Sequence, residues 1–196
     1  MRFLAGVIVA LAVAPLAGAA STWKTHHVTA AGFSVGAPAA WIDVTRLTPQ
    51  VLAKESTVPN LRAYVDAARS SKAIKLIVVD VGRTTIENHF ASGLNVTQVP
   101  TIGDLQTQRA ITIAQLKSAG IVVGAVQSSY VKLPAGKALR LSYRARFAVG
   151  NPVVATLQFV LLHAGKATVI TYTTLPKLQS HYAVAFARSA HSFRFV

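Results

Sequence analysis

From Ile121 to Thr174 the chain alternates apolar and polar residues with a period of two, in four strand-length segments near 121–132, 137–149, 153–163 and 167–174. The breaks between them are Pro134-Ala135-Gly136, Gly150-Asn151-Pro152 and Ala164-Gly165-Lys166. Connections this short join only antiparallel neighbours, because a parallel pair needs a crossover of a dozen residues or more. More than a quarter of the chain is thereby committed to an antiparallel meander, and everything else has to pack on it or extend it.

The remaining segments supply both extensions and covers. Residues 24–29 and 32–36 read as short strands about Ala30-Ala31, followed by a turn over 37–40 that carries Pro38. A helical region is expected over 48–70, with Pro59 near the first turn of its second part and Leu61, Val65 and Ala68 on one face. The apolar run 73–81 reads as a central strand covered on both faces. Residues 95–99 form another strand, ended by Pro100, and Asp104 opens a helix that Gly120 stops. A last helix over 177–190, with Leu178, Tyr182, Ala185 and Phe186 as its stripe, leads to a short strand at 191–195. The expected class is α+β, an α/β/α sandwich with a central antiparallel sheet and flanking helices.

The N-terminus has the order of an export signal: Met1-Arg2, an apolar stretch over 3–16, then Ala17-Gly18-Ala19-Ala20. Cleavage is expected after Ala19 or Ala20, leaving 21–196 as one secreted or periplasmic domain; retention as an N-terminal anchor is the alternative. The chain has no cysteine, which excludes a disulfide framework, a thiolate metal site and a lipid-bearing N-terminal cysteine. Its 20 Lys plus Arg against 6 Asp plus Glu give a formal net charge of +14, one unit of which (Arg2) leaves with the signal. Such an excess attracts anionic surfaces: lipid headgroups in peripheral contact with a membrane, acidic envelope polymers or an acidic protein. Nucleic acid is not expected as a partner, since export removes it and no aromatics are set into a basic stretch.

Gly32, Phe33, Val35, Pro38 and Trp41 form the pattern GF-x-V-x-x-P-x-x-W. With Gly136-Lys137 leading a strand, Val169-Ile170-Thr171-Tyr172 and the terminal Ser192-Phe193-Arg194-Phe195, this order resembles the PsbP-like superfamily. That group includes the extrinsic PsbP proteins of photosystem II, mycobacterial LpqN-type lipoproteins and DcrB-type envelope proteins. The resemblance implies an α/β/α sandwich and binding or assembly roles without shared catalytic residues. The missing lipid-bearing cysteine departs from the LpqN pattern, and nothing carries over a photosystem role.

Catalytic and metal chemistry find little material. Gly32-Phe33-Ser34-Val35-Gly36 matches G-x-S-x-G, but a nucleophile elbow needs a helix directly after the serine, and Pro38 follows within four residues. Ser34 is therefore read as a strand residue. His26 and His27, with His89, His163, His181 or His191, offer imidazoles, yet adjacent strand residues point to opposite faces, so neither a metal nor any cofactor is expected. Asp104 reads as a helix cap. Asp80, at the end of an apolar run, is either paired structurally with Arg83 or a pocket residue. A small envelope hydrolase or lyase with a pocket near Asp80, His89 and Asp104 is the competing functional reading. The sequon Asn95-Val96-Thr97 matters only where the source glycosylates.

The strongest candidate site is a strand face. Over 137–149, Leu139, Leu141, Tyr143, Ala145 and Phe147 alternate with Arg140, Ser142, Arg144 and Arg146. One face is apolar and the other carries three guanidinium groups. A hairpin closed symmetrically on 150–152 would set Arg144 opposite Gln158 and Arg146 opposite Thr156. Arg140, Arg144, Arg146 and Gln158 then form a cationic strip suited to a phosphate or carboxylate. A solvated face that keeps a basic protein soluble is the plainer alternative. The expectation is a non-catalytic module that binds an anionic partner.

Overall fold

The computed structural model describes residues 22–47, 61–148 and 150–196. The signal segment with its cleavage site and the stretch 48–60 with Pro59 lie outside the described residues. Ten strands are present among the described residues: β1 Trp23–Val28, β2 Phe33–Pro38, β3 Ile42–Asp43, β4 Ile74–Val79, β5 Gly93–Pro100, β6 Val122–Leu133, β7 Gly136–Ala145, β8 Val154–His163, β9 Lys166–Thr174 and β10 Arg194–Phe195. The helices are α1 Leu61–Ser70, α2 Arg83–Asn88, α3 Leu105–Ser118 and α4 Gln179–Ser192.

The meander forms as its turns require. The Ala164-Gly165 turn has both residues at positive φ (46° and 71°), the twist that closes His163 onto Lys166. The result is a seven-stranded antiparallel sheet in the order β3-β4-β5-β9-β8-β7-β6. β4 is covered on both faces, with Leu76, Ile77, Val78 and Val79 all buried, but it lies next to the edge and is flanked there only by the two-residue β3.

Each face of this sheet has its own cover, which makes the molecule an α+β sandwich. On one face, Leu116 of α3 packs with Leu139, Leu141 and Tyr143, while Leu61 and Val65 of α1 pack on Ile77 and Val79. Asp104 caps α3 through its carboxylate, which accepts from the Thr107 N–H at 2.9 Å. On the other face, α4 brings Tyr182, Phe186 and Ala190 onto Tyr172, Ile170 and Phe159. A second sheet, β1-β2-β10, completes that layer.

This small sheet joins the two ends of the chain. β2 pairs with β1 and with β10, so that Ser34 faces both His27 and Arg194. Phe33 and Phe193 are fully buried with ring centroids 5.3 Å apart, and the Val196 N–H donates to the Gly32 carbonyl at 3.0 Å. The Gly36 N–H donates to Ser192 Oγ at 2.7 Å. The GF-x-V pattern and the terminal SFRF are thus two sides of one packing unit.

Candidate functional site

β7 crosses the sheet next to the edge strand β6, and its alternation decides what the outer half of the sheet presents. Leu139, Leu141, Tyr143 and Ala145 are buried against the α3 layer, while Arg140 and Arg144 stand exposed on the opposite face. α4 packs mainly over β2 and β9, so that this face of β7 is buried at Ala138 but leaves Arg140 and Arg144 exposed. Arg140 lies between Ser129 and Phe159 across the ladder, and Arg144 between Val123 and Ala155.

Between this open face and α4 runs a groove of about 360 Å³. Arg140 and His191 are polar groups on its wall, and Leu157, Phe159, Phe186 and Ala187 form apolar parts of it. No acid among the described residues lines it. Among the described residues the acids are engaged elsewhere. Asp43 lies 3.2 Å from Arg46 and 3.7 Å from the buried His26, Asp66 pairs with Arg62, and Glu87 pairs with Arg83 at 2.5 Å. Burial pushes the Asp43 carboxyl upward, but His26 and the Thr45 hydroxyl and N–H outweigh it and hold that carboxyl below its usual range. Arg140, Arg144 and Arg146 have no ion-pair partner among the described residues, so their field is not offset locally.

The structure separates Gln158 from the arginines. The hairpin turn closes with the Asn151 N–H donating to the Ala148 carbonyl at 3.1 Å and Gly150 at φ 84°, rather than on 150–152. This shifts the register by three residues, an odd number, so Arg144 faces Ala155 and Tyr143 faces Thr156. Gln158 pairs with Leu141 and Thr171 on the other face, where its Nε2 donates to Thr171 Oγ1 at 3.1 Å. Arg146 lies beyond the end of β7, exposed, with its N–H donating to the Ile121 carbonyl at 2.8 Å. Residues 146–148 therefore belong to the connecting loop and not to the strand. The groove's α4 wall, with His191 and Phe186, was not read from the sequence, since both residues fit an ordinary amphipathic helix.

The residues of the competing hydrolase reading do not converge. Asp80 accepts from the Tyr182 hydroxyl at 2.5 Å and the Gly82 N–H at 2.8 Å, and Arg83 turns to Glu87 instead. Burial, and then the Asp80 carboxylate, raise the Tyr182 hydroxyl above its ordinary pKa. His89 ends α2 in the left-handed conformation, at φ 49°, and Asp104 caps α3. His89 and Asp104 line separate depressions. His26 is buried and His27 exposed, as opposite faces of a strand require, and no group of three or more metal-ligating side chains occurs among the described residues.

Ser34 is 7% exposed in mid-strand, with β2 running on to Pro38 and no helix after it. A fluorophosphonate probe is therefore expected to leave the protein unlabelled, as read by intact mass. A stoichiometric adduct lost in Ser34→Ala would overturn the strand reading.

Neither a family model nor a curated protein matches the sequence. Among solved structures, cyanobacterial PsbP from Synechocystis is similar to this chain with a TM-score of 0.56 and 17% identity, covering 95% of this chain and 99% of that one. The Saccharomyces cerevisiae Ran-binding protein Mog1p gives 0.55 and 11%, covering 90% and 97%. LpqN of Mycobacterium tuberculosis, involved in cell envelope biogenesis, gives 0.46 and 10%, covering 92% and 87%. No helix among the described residues is long and apolar enough to cross a membrane. With an antiparallel large sheet covered on both faces, this chain therefore has the fold seen in cyanobacterial PsbP and in Mog1p, over nearly the whole length of each.

Proposed function

We propose that this protein is a non-catalytic extracytoplasmic binding module that takes an anionic partner on the open face of β7. The observation that carries this reading is the exposed Arg140 and Arg144 on one strand face, with no acid across the ladder from either, Arg140 lying on the wall of a groove with apolar parts. Guanidinium groups bind phosphate or carboxylate in bidentate fashion, and an unpaired pair on a rigid strand is already oriented to do so. Arg146 extends the same charge into the loop. The apolar wall supplied by Leu157, Phe159 and Phe186 favours a partner with an apolar part next to its acidic group. The PsbP-like fold supports a binding role, as does Mog1p, a Ran-binding protein of the same architecture. The signal-like N-terminus supports an extracytoplasmic site of action.

The test is binding to vesicles containing phosphatidylglycerol and to polyglutamate, followed against salt. Affinity is expected to fall steeply as salt rises. The triple variant Arg140→Ala, Arg144→Ala, Arg146→Ala is expected to bind about 100-fold more weakly, at about 1 kcal/mol per basic residue near an acidic surface. A charge-matched control, Arg62→Ala, Arg69→Ala, Lys72→Ala, on and just after α1, is expected to lose far less. Equal losses in the two triples would mean that net charge alone drives binding, and that the β7 face is only solvated.

A further inference from the structure

The opposite face of the large sheet contains something its role as a core does not call for. α1 covers β4 and α3 covers the β6–β8 end, and a cleft of about 780 Å³ lies between the two helices. Its floor is polar. Asn95, Thr171 and Gln158 lie in one row across β5, β9 and β8, with Thr97 and Thr173 in adjacent rows. The reverse sides of the same strands carry Leu94, Val96, Ile170, Tyr172 and Phe159, as a packed layer should. Setting amides and hydroxyls at the centre of a covered sheet costs free energy unless they are hydrogen-bonded, so the floor calls for partners that the protein only partly supplies.

Two groups remain open. Gln158 Oε1 is buried and has no hydrogen-bond partner, although its Nε2 is held by Thr171. The Tyr143 side chain is 6% exposed, lines the same cleft, and its hydroxyl makes no hydrogen bond among the described residues. The walls are aromatic and aliphatic, including Phe90, Phe147 and Val154. No Lys, Arg, Asp or Glu among the described residues lines the cleft, and His89 is the one ionisable nitrogen base there. A ligand with a full charge would meet no permanently charged side chain among the described residues, whereas an uncharged one loses little.

We propose that this cleft is a second binding site, for an uncharged small molecule with an apolar ring body and a hydrogen-bond donor that meets Gln158 Oε1 as the half-buried Gln158 amide turns from the floor into the cleft. Its volume suits two or three rings. The glycosylation sequon is absorbed by the same geometry. Asn95 and Thr97 belong to the floor of this site, on an interior strand, and not to a surface loop.

The test uses N-phenyl-1-naphthylamine, which is neutral, carries one N–H and brightens in apolar surroundings, alongside 1-phenylnaphthalene, which lacks the N–H. The purified protein is expected to bind both saturably and independently of salt, the amine about fivefold tighter, the usual worth of one hydrogen bond. Gln158→Met removes the acceptor at similar volume and is expected to make the two dyes bind equally. Thr171→Trp fills the cleft and is expected to weaken both at least about tenfold. Phe147→Ala, at the exposed rim, keeps the test open if the filled variant does not fold, and is expected to weaken both dyes. The β7 triple-arginine variant is expected to leave dye binding unchanged, so this site and the anionic one succeed or fail separately. Absence of saturable binding, equal affinity for the two dyes in the parent protein, undiminished binding by folded Thr171→Trp or by Phe147→Ala, or loss in the arginine variant would overturn the proposal.

Discussion

Phe193→Ala is expected to destabilise the protein by about 3–5 kcal/mol, the range for removing a fully buried aromatic ring. Phe193 has no exposed surface, stacks on Phe33 at 5.3 Å and meets Phe195 edge-on at 5.1 Å. Its loss opens a void where the two ends of the chain close the second sheet, and the rigid large sheet beneath has little freedom to collapse into it. Urea unfolding followed by circular dichroism measures the effect, and the thermal midpoint should fall by roughly 10 °C or more for a chain of this length. Phe147→Ala serves as the reference, since Phe147 is 56% exposed and its removal should cost little. A loss below about 1 kcal/mol for Phe193→Ala would mean that the terminal strand is not integral to the fold.

Gly93→Ala is expected to cost about 3 kcal/mol, the upper end of what overpacking does in a formed core. A methyl group there would sit 2.4 Å from the Val78 carbonyl oxygen and 2.9 Å from Val79 Cα. Both neighbours are backbone of the adjoining strand, so the only relief is to move β5 away from β4, breaking the ladder in which Val79 faces Gly93. Denaturant midpoints again measure this, and an unchanged slope would place the loss in the native state. A neutral result would show that β4 and β5 separate without cost, contrary to the burial of Val78 and Val79.

Neither effect is visible in the local sequence, although much of the architecture is. The meander, the capped helix at Asp104 and the short strands carrying GF-x-V and SFRF could be read because each rests on a pattern spanning a few residues or on a known order of such patterns, whereas the pairing of the two ends is a tertiary outcome. The polarity of β7 was legible for the same reason: strand alternation fixes which side chains share a face wherever the strand ends up. The partner of Arg144 was not, because register depends on which residues close the turn. Ala148 and Asn151, rather than 150–152, close it, and a three-residue shift moves Gln158 to the other face. For Asp80 the sequence offers either a pair with the nearby Arg83 or a place in a pocket, yet its carboxylate meets Tyr182, 102 positions away, because α4 folds back over the end of β4.

The amino-acid sequence by itself determined the class of fold, the order of its main elements without β3 and α2, the strand in which the arginines alternate with the core, and a charge excess that favours anionic partners. Only the tertiary structure decided that Arg140 and Arg144 of β7 are left exposed while β9 is covered, that Arg140 shares a groove with His191, and that Asn95, Thr171 and Gln158 meet on the floor of a cleft. The reason is physical. Periodicity and capping are set by neighbours along the chain, whereas covers, grooves and clefts depend on how far each helix reaches across a sheet whose register is itself a tertiary outcome.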